Sequence, residues 1–295
     1  GAYATETLHI LRNALADAAV PVFITPGNHD YVGNDSPWLS ETWPENVHIF
    51  TRPVLESVVV EDLDCRVYGA GFTAMDCPAL LTDFTAERTH RYAVAVLHGD
   101  PTQTRSDYNP ITKAQIKKSG LDYLALGHIH KGDSLREGQT LCAWPGCPMG
   151  RGYDETGEKG VLVVTIDDTA TAEFIPLDTP RFYDLEVPAS VSLSSVLPPV
   201  GSEDFYRVTL TGPSEPVDLD ALYREFSQFP NLELRDHTTP PLDIWGTAGE
   251  DTLEGMYFHR LRVLLDSDDE EVRQQAKLAA TISRQLLEGQ EVVLP

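Results

Sequence analysis

Cysteine, basic residues and long apolar runs are all scarce in this sequence of 295 residues. The four cysteines form no CxxC pair, which is the spacing that zinc sites usually show, so buried or free thiols are expected. No apolar run approaches the ~18 residues that are needed to cross a bilayer, and the first twenty residues lack a basic start followed by an apolar core. The sequence therefore predicts a cytoplasmic protein without a membrane partner.

Positive charge is the second scarce property, because 22 basic residues stand against 46 acidic ones and the formal net charge is −24. A protein that holds duplex DNA mainly through its phosphates needs a stripe of Lys and Arg, and none is visible. An acidic surface instead favours metal cations. Any contact with nucleic acid is therefore expected to be local or to come from a partner protein.

The length predicts two domains, since a single core rarely grows beyond ~250 residues. In the first, the spacing of the leucines predicts a helix over residues 5–18, and an apolar run predicts a buried strand over residues 20–25. Later elements of this domain are a strand over 92–97, a helix around 112–118, a strand over 121–126, and paired strands over 161–166 and 172–175.

Prolines between residues 176 and 180 interrupt this pattern and predict a domain boundary, giving domains over residues 1–180 and 181–295. Residues 189–202 are rich in Ser, Pro and Val, which is typical of a linker or an irregular loop. The second domain is predicted to contain a strand over 205–210, a helix over 219–229, a strand over 232–235 and a helix over 270–287.

Polar residues of the kind that bind metals directly follow three of the predicted strands. The segments are Gly27-Asn28-His29-Asp30, His98-Gly99-Asp100 and Gly127-His128-Ile129-His130. Loops that leave the carboxyl ends of strands in an open α/β sheet converge on one edge, where such folds place their sites. The residues expected to share one cleft are Asn28, His29, His98, His128 and His130.

Each segment alone has an ordinary structural explanation: a turn for the first, a hydrogen-bonded core histidine for the second and a polar loop for the third. Their occurrence together, each after a strand, favours a metal site instead. Imidazole and amide oxygen suit manganese, iron or zinc better than calcium. We therefore expect divalent metal ions, with Mn²⁺ first and Fe²⁺ or Zn²⁺ as alternatives.

The GNHD segment, the later histidine and the GHIH segment are similar to the last three of the five metal-site motifs of calcineurin-like metallophosphoesterases. This resemblance extends from residue 5 to about residue 180. Other strings resemble the SbcD-type DNA repair exonucleases of that superfamily, and residues 181–295 resemble their capping domain in layout only. These strings lie at residues 97–100, 108–111, 122–131, 144–155 and 157–160.

The resemblance implies an α/β fold, a metallophosphoesterase β-sandwich flanked by helices, with a smaller α+β capping domain. It also implies that Asn28, His98 and His128 bind one metal ion and that His130 binds a second. In such sites a hydroxide that bridges two metals attacks phosphorus in line with the leaving oxygen.

Two further residues receive roles from the resemblance: His29, held by Asp30, would stabilise or protonate the leaving oxygen. Arg151 is a candidate contact for a substrate phosphate, although a purely structural turn explains that Gly- and Pro-rich segment equally well. The role of Asp100 stays open.

Two of the five motifs, Asp-x-His and Gly-Asp-x-x-Asp, occur nowhere in the sequence, which begins at Gly1. In the family these motifs supply the remaining ligands of the first metal and the carboxylate that bridges both. We therefore expect a chain that lacks the N-terminal strand and helix of its fold by truncation. Alone, it is expected to be weakly active or inactive.

Three functions remain in competition. The first is a DNA exonuclease or endonuclease subunit in DNA repair, which acts on DNA ends with an SbcC-like ATPase partner and as a homodimer. The second is a phosphodiesterase or phosphatase acting on nucleotides or other small phosphoesters. The third is a catalytically inactive scaffold that lacks the ligands of the first metal.

Overall fold

A computed structural model describes residues 5–289 and residue 292 of the chain. The chain divides into two compact units between Phe182 and Tyr183. The expected boundary at residue 180 lies two residues earlier. Among the described residues, no helix has both the length and the apolar composition to cross a membrane.

The first elements of unit 1 lie outside its main sheet. They are α1 (Thr5–Asp17), β1 (Val22–Ile24), α2 (Pro37–Ser40) and β2 (Val47–Ile49). Strands β1 and β2 pair in parallel as a separate sheet of two strands. Helix α1 forms as predicted, but none of its residues is buried, and Ile10 is 64% exposed.

Six strands form the main sheet of unit 1, in the order β3-β4-β5-β6-β8-β7. Strands β4, β5, β6 and β8 run parallel, whereas β3 and β7 pair antiparallel with their neighbours at the two edges. The strands are β3 (Glu56–Val60), β4 (Cys65–Gly69), β5 (Tyr92–His98), β6 (Tyr123–Gly127), β7 (Lys131–Glu137) and β8 (Thr140–Gly146).

Both faces of the central strand β5 are covered, because its side chains alternate between two clusters. Ala95 and Leu97 pack into the largest core cluster, and Val94 and Val96 pack against the cluster around Phe50. A strand fixed on both faces holds its carboxyl end in place, and His98 is its last residue.

Three more elements complete unit 1: α3 (Lys113–Lys118), β9 (Gly160–Ile166) and β10 (Ala170–Pro176). Helix α3 begins with a capping box in which Thr112 and Gln115 exchange side-chain to backbone hydrogen bonds. Strands β9 and β10 pair antiparallel, which confirms the strand pair predicted from the sequence.

Unit 2 contains a sheet of three strands in the order β11-β12-β13, with β12 and β13 parallel. Helix α6 has the bounds that the sequence predicted, but α4 ends four residues early and β13 continues four residues further. Strand β11 and helix α5 were not predicted individually. The elements are β11 (Phe182–Pro188), β12 (Phe205–Pro213), α4 (Leu219–Glu225), β13 (Leu232–Thr239), α5 (Leu253–Val263) and α6 (Glu270–Leu287).

Candidate metal centre

Three loops of unit 1 meet at the carboxyl ends of β1, β5 and β6. Strands β5 and β6 are parallel neighbours, and His98 pairs in register with Gly127, so the two histidine segments leave the sheet side by side. Strand β1 belongs to a different sheet, which corrects the expectation of one shared sheet edge. Its loop is still tied to the site through Phe72. The Phe72 N–H donates to the Pro26 carbonyl at 3.0 Å, and the Phe72 ring packs edge-on against the ring of His98 with the centroids 5.1 Å apart.

Gly27 allows the first loop to approach the second closely. A Cβ atom at this position would stand 2.4 Å from Nδ1 of His98, closer than any side chain tolerates. The next residue, Asn28, is buried with 6% exposure. Its position therefore depends on a glycine before it.

Asn28, His98 and His128 converge on one point. Nε2 of His98 lies 2.8 Å from Oδ1 of Asn28 and 3.1 Å from Nδ1 of His128. His128 adopts a φ of 103°, a conformation that costs a residue other than glycine of order 1–3 kcal/mol and that concentrates at functional sites. The three segments predicted to share a cleft thus bring one candidate ligand each to the same place.

The electrostatics of this cluster favour neutral imidazole rings. Burial, together with the neighbouring histidines, lowers the pKa of His98 to about 4. Burial also lowers the pKa of His128, although the carboxylate of Asp100 works in the opposite direction. Both rings are therefore uncharged at neutral pH, the protonation state in which imidazole binds a metal.

His130 lies beside this cluster but engages a different partner. Its Nδ1 hydrogen-bonds to Oε1 of Glu155, whose other oxygen accepts from the Arg151 N–H at 2.8 Å and from Sγ of Cys147 at 3.7 Å. The hydrogen bond from His130 is the main cause that lowers the pKa of Glu155. This leaves Nε2 of His130 as the ring nitrogen available for a ligand.

Sequence reasoning gave Glu155 and Cys147 no role in the site. The ligand atoms of His130, Cys147 and Glu155 lie within 4.8 Å of one another, a spacing at which they could hold a metal ion. Glu155 lies in a string that resembles the SbcD-type exonucleases, but a lone Glu after a turn carries no metal signal by itself. All four cysteines are buried and free.

Comparison with known proteins agrees with this arrangement. Residues 1–132 match the calcineurin-like phosphoesterase family, and this range contains all three ligand segments. The chain is also 33% identical over 162 residues to an uncharacterized metallophosphoesterase, YhaO, of Bacillus subtilis strain 168. The first part of the chain is therefore similar to calcineurin-like metallophosphoesterases. The alignment with YhaO covers 52% of this chain and 38% of the length of that protein.

Calcineurin-like phosphoesterases use divalent metal ions, and the donors in this domain fit such an ion. An amide oxygen and two neutral imidazoles, all in mutual contact, form a suitable ligand set for a first-row divalent metal. Within residues 5–289, no carboxylate joins His98 and His128 in a group of three close ligand atoms. The set of candidate ligands around His98 and His128 therefore lacks a carboxylate within the described residues.

His29 and Asp30 do not form the hydrogen-bonded pair expected from the family. Oδ1 of Asp30 accepts from the Gly27 N–H at 2.7 Å, which closes the turn that carries Asn28. Burial raises the pKa of Asp30, although the hydrogen bond from Gly27 and the nearby His29 act in the opposite direction. The side chain of His29 is exposed, next to the buried Asn28.

Asp100 organises the loop after β5. It is 2% exposed, and its Oδ1 accepts from the N–H and the hydroxyl of Thr102 at 2.8 and 2.6 Å. Burial alone would raise the pKa of Asp100, but these hydrogen bonds outweigh burial and lower it. Asn109, fully buried, donates to the His98 carbonyl at 2.9 Å and fixes the end of the strand.

Arg151 is exposed, and its backbone N–H closes the turn onto Glu155. A contact between its guanidinium and a substrate phosphate remains a prediction.

Proposed function

We propose that this protein hydrolyses phosphodiesters with divalent metal ions and acts on DNA ends as a nuclease subunit. The observation that supports this most directly is the contact of Asn28, His98 and His128 at the ends of three separate loops. Divalent ions bound there would supply activation of water and neutralisation of charge on the phosphate.

Each candidate site residue has a separate role in this proposal. Asn28, His98 and His128 would hold one ion, and His130 would hold a second. His29, exposed beside Asn28, donates to the leaving oxygen without a hydrogen-bonded carboxylate behind it. The absence of Asp-x-His and Gly-Asp-x-x-Asp would leave the ion at His130 without its other ligands and remove the carboxylate that bridges both ions, so we expect low turnover from this chain alone.

The acidic composition bears on how DNA would be held. With a net charge of −24, the chain has little capacity to neutralise phosphates, so much of the DNA contact would come from an SbcC-like ATPase or from a second copy of the chain. We include that partner and a homodimer in the proposal.

Metal binding is the sharpest first test, because low turnover is expected. Titration of Mn²⁺ by calorimetry should give a binding isotherm that His98→Ala abolishes. His259→Ala, an exposed histidine on α5, is the matched control and should bind as the unmodified chain does. Equal binding in all three proteins would contradict the assignment of the centre.

Substrate class is tested in the presence of Mn²⁺ with a DNA hairpin, a cyclic nucleotide and bis-p-nitrophenyl phosphate. Cleavage of the hairpin that is lost in His98→Ala supports the nuclease. Turnover of only the small phosphoesters would instead support the nucleotide phosphodiesterase, a function that the acidic composition favours. Metal binding without any turnover, even with the partner ATPase present, would support the scaffold.

A further inference from the structure

A cavity of about 490 Å³ opens directly beside His130. Its walls come from β7, β8, β9, β10 and the loop at residues 156–159 that precedes β9, so it lies entirely within unit 1. The lining includes His130, Lys131, Trp144, Lys159 and Phe174. We call it the Lys159 cavity.

Lys159 is the unusual residue of this cavity because it is 7% exposed. Lysine is almost never buried to this degree without a partner, since an uncompensated cation loses its hydration. Within residues 5–289, no hydrogen bond or ion pair engages its ammonium group. Its side chain packs along Gly150, where Cε lies 3.6 Å from the point that a Cβ would occupy.

The carboxylates in this region do not compensate Lys159. Glu158 pairs with Arg181 at 3.3 Å, and Glu155 accepts from His130, Arg151 and Cys147. Asp133 also lines the cavity, but it is exposed and accepts from the Ser134 N–H at 2.7 Å. The buried positive charge therefore faces a cavity with no protein anion bound to it.

We propose that the Lys159 cavity binds a phosphate group, which Lys159 contacts. The cavity shares His130 with the metal centre, so in a polynucleotide this phosphate would neighbour the one that is cleaved. That assignment of the biological ligand rests on the proposed function. Phe174, which is 39% exposed, offers an apolar wall for the attached sugar or base.

Thermal unfolding of the chelator-treated chain tests the site without any metal. Inorganic phosphate should raise the Tm of the unmodified chain and of Lys131→Met, the control at an exposed lysine of the same cavity. Lys159→Met should show no phosphate-dependent rise, and its Tm without phosphate should exceed that of the unmodified chain because the uncompensated charge is gone. An equal phosphate-dependent rise in Lys159→Met would overturn the proposal.

A second variant protects this test against a folding defect. Lys159→Arg keeps the charge and should keep a phosphate-dependent rise in Tm, whereas loss of the rise in both variants with far-UV circular dichroism unchanged would contradict a charge-based site. Phosphate binding is measured without metal, so a protein that does not hydrolyse DNA could still pass this test. A protein that does not bind phosphate could likewise still bind Mn²⁺ in the calorimetric titration.

The source of the phosphate is resolved by two dinucleotides, thymidylyl-thymidine with and without a 5′-phosphate. For a nucleotide subsite, the 5′-phosphate should strengthen binding at least tenfold in the unmodified chain and not in Lys159→Met. Equal affinities of the two dinucleotides, alongside a normal response to inorganic phosphate, would overturn the nucleic-acid assignment and identify a site for the free ion.

Discussion

At the scale of single residues, Glu155 is the group that most changes the view of the site. One of its oxygens hydrogen-bonds to Nδ1 of His130, and the other accepts a hydrogen bond from the Arg151 N–H. A carboxylate in this position fixes the tautomer and the orientation of a metal-binding histidine. If His130 binds a metal ion as proposed, Glu155 is a positioning residue that acts through His130.

Replacing Glu155 by Gln should weaken Mn²⁺ binding by about tenfold or more, the range measured for comparable partners of metal-binding histidines. The physical reason is loss of the charged acceptor that holds Nδ1–H. Calorimetric titration measures this, with Glu155→Asp expected to recover part of the affinity. Glu158→Gln, at an exposed neighbour, is the control, and an affinity in Glu155→Gln equal to that control would argue against positioning.

Gly27→Ala should destabilise the fold by about 1–3 kcal/mol, because overpacking of this kind forces neighbouring groups to move. The added methyl group would stand 2.4 Å from the His98 ring, so Mn²⁺ affinity should fall in parallel. Urea unfolding measures the first effect. Gly33→Ala, whose Cβ would meet only Tyr31 at 3.6 Å, should leave both properties nearly unchanged; similar losses in the two variants would refute the close approach.

The pH dependence of stability follows from the lowered pKa values of His98 and His128. The unfolded chain takes up protons on these rings near pH 6.5, whereas in the folded chain His98 does so only near pH 4. The contribution of these two neutral rings to the free energy of unfolding is therefore complete above pH 6.5 and is lost as the pH falls toward 4. Urea unfolding of the unmodified chain and His98→Gln should show a difference in pH dependence across this window, and parallel curves would contradict it.

At the scale of elements, helix α3 shows how a local sequence signal fixes the start of a helix. Thr112→Ala removes one half of the capping box and should cost about 1 kcal/mol of unfolding free energy. Lys117→Ala, at an exposed position of the same helix, should change stability by less than ~0.5 kcal/mol. A Thr112→Ala variant as stable as Lys117→Ala in urea would show that packing of Ile116 alone maintains the helix.

Elements with a regular apolar pattern were predictable, and elements without one were not. Strand β5 alternates between two covered faces and helix α6 repeats its apolar positions over five turns, so both were found from the sequence. Strand β7 is a polar edge strand, and α5 buries only Gly255 and Phe258. In these two cases pairing and tertiary contacts, rather than periodicity, determine the structure.

The same distinction applies to the candidate site. Asn28, His98 and His128 could be predicted to meet because each follows a buried strand at the same type of position. The contact between Glu155 and His130 joins residues 25 apart through an irregular turn, and no periodic pattern encodes such a turn. The burial of Lys159 could not be predicted from the sequence for a related reason, because it depends on how the surrounding chain packs around Gly150.

At the scale of the whole molecule, the two units differ in what the comparisons cover. The calcineurin-like match lies within unit 1 and ends at residue 132. Unit 2 has its own sheet and its own core, with Val208 and Phe229 among the buried residues. Its role as a capping domain remains a prediction from layout.

The net charge of −24 leads to a prediction for DNA binding by the isolated chain. Each neutralised phosphate contributes about −0.9 to the slope of log K against log salt concentration. With no basic stripe and few local cations such as Lys159 and Arg151, we expect weak binding and a slope shallower than roughly −3.

Fluorescence anisotropy of a labelled hairpin at several salt concentrations measures the slope, and Lys159→Met should make it shallower by about one unit. A slope of about −6 or steeper for the chain alone would instead mean that it carries its own DNA-binding surface, and it would remove the need for a partner to supply one.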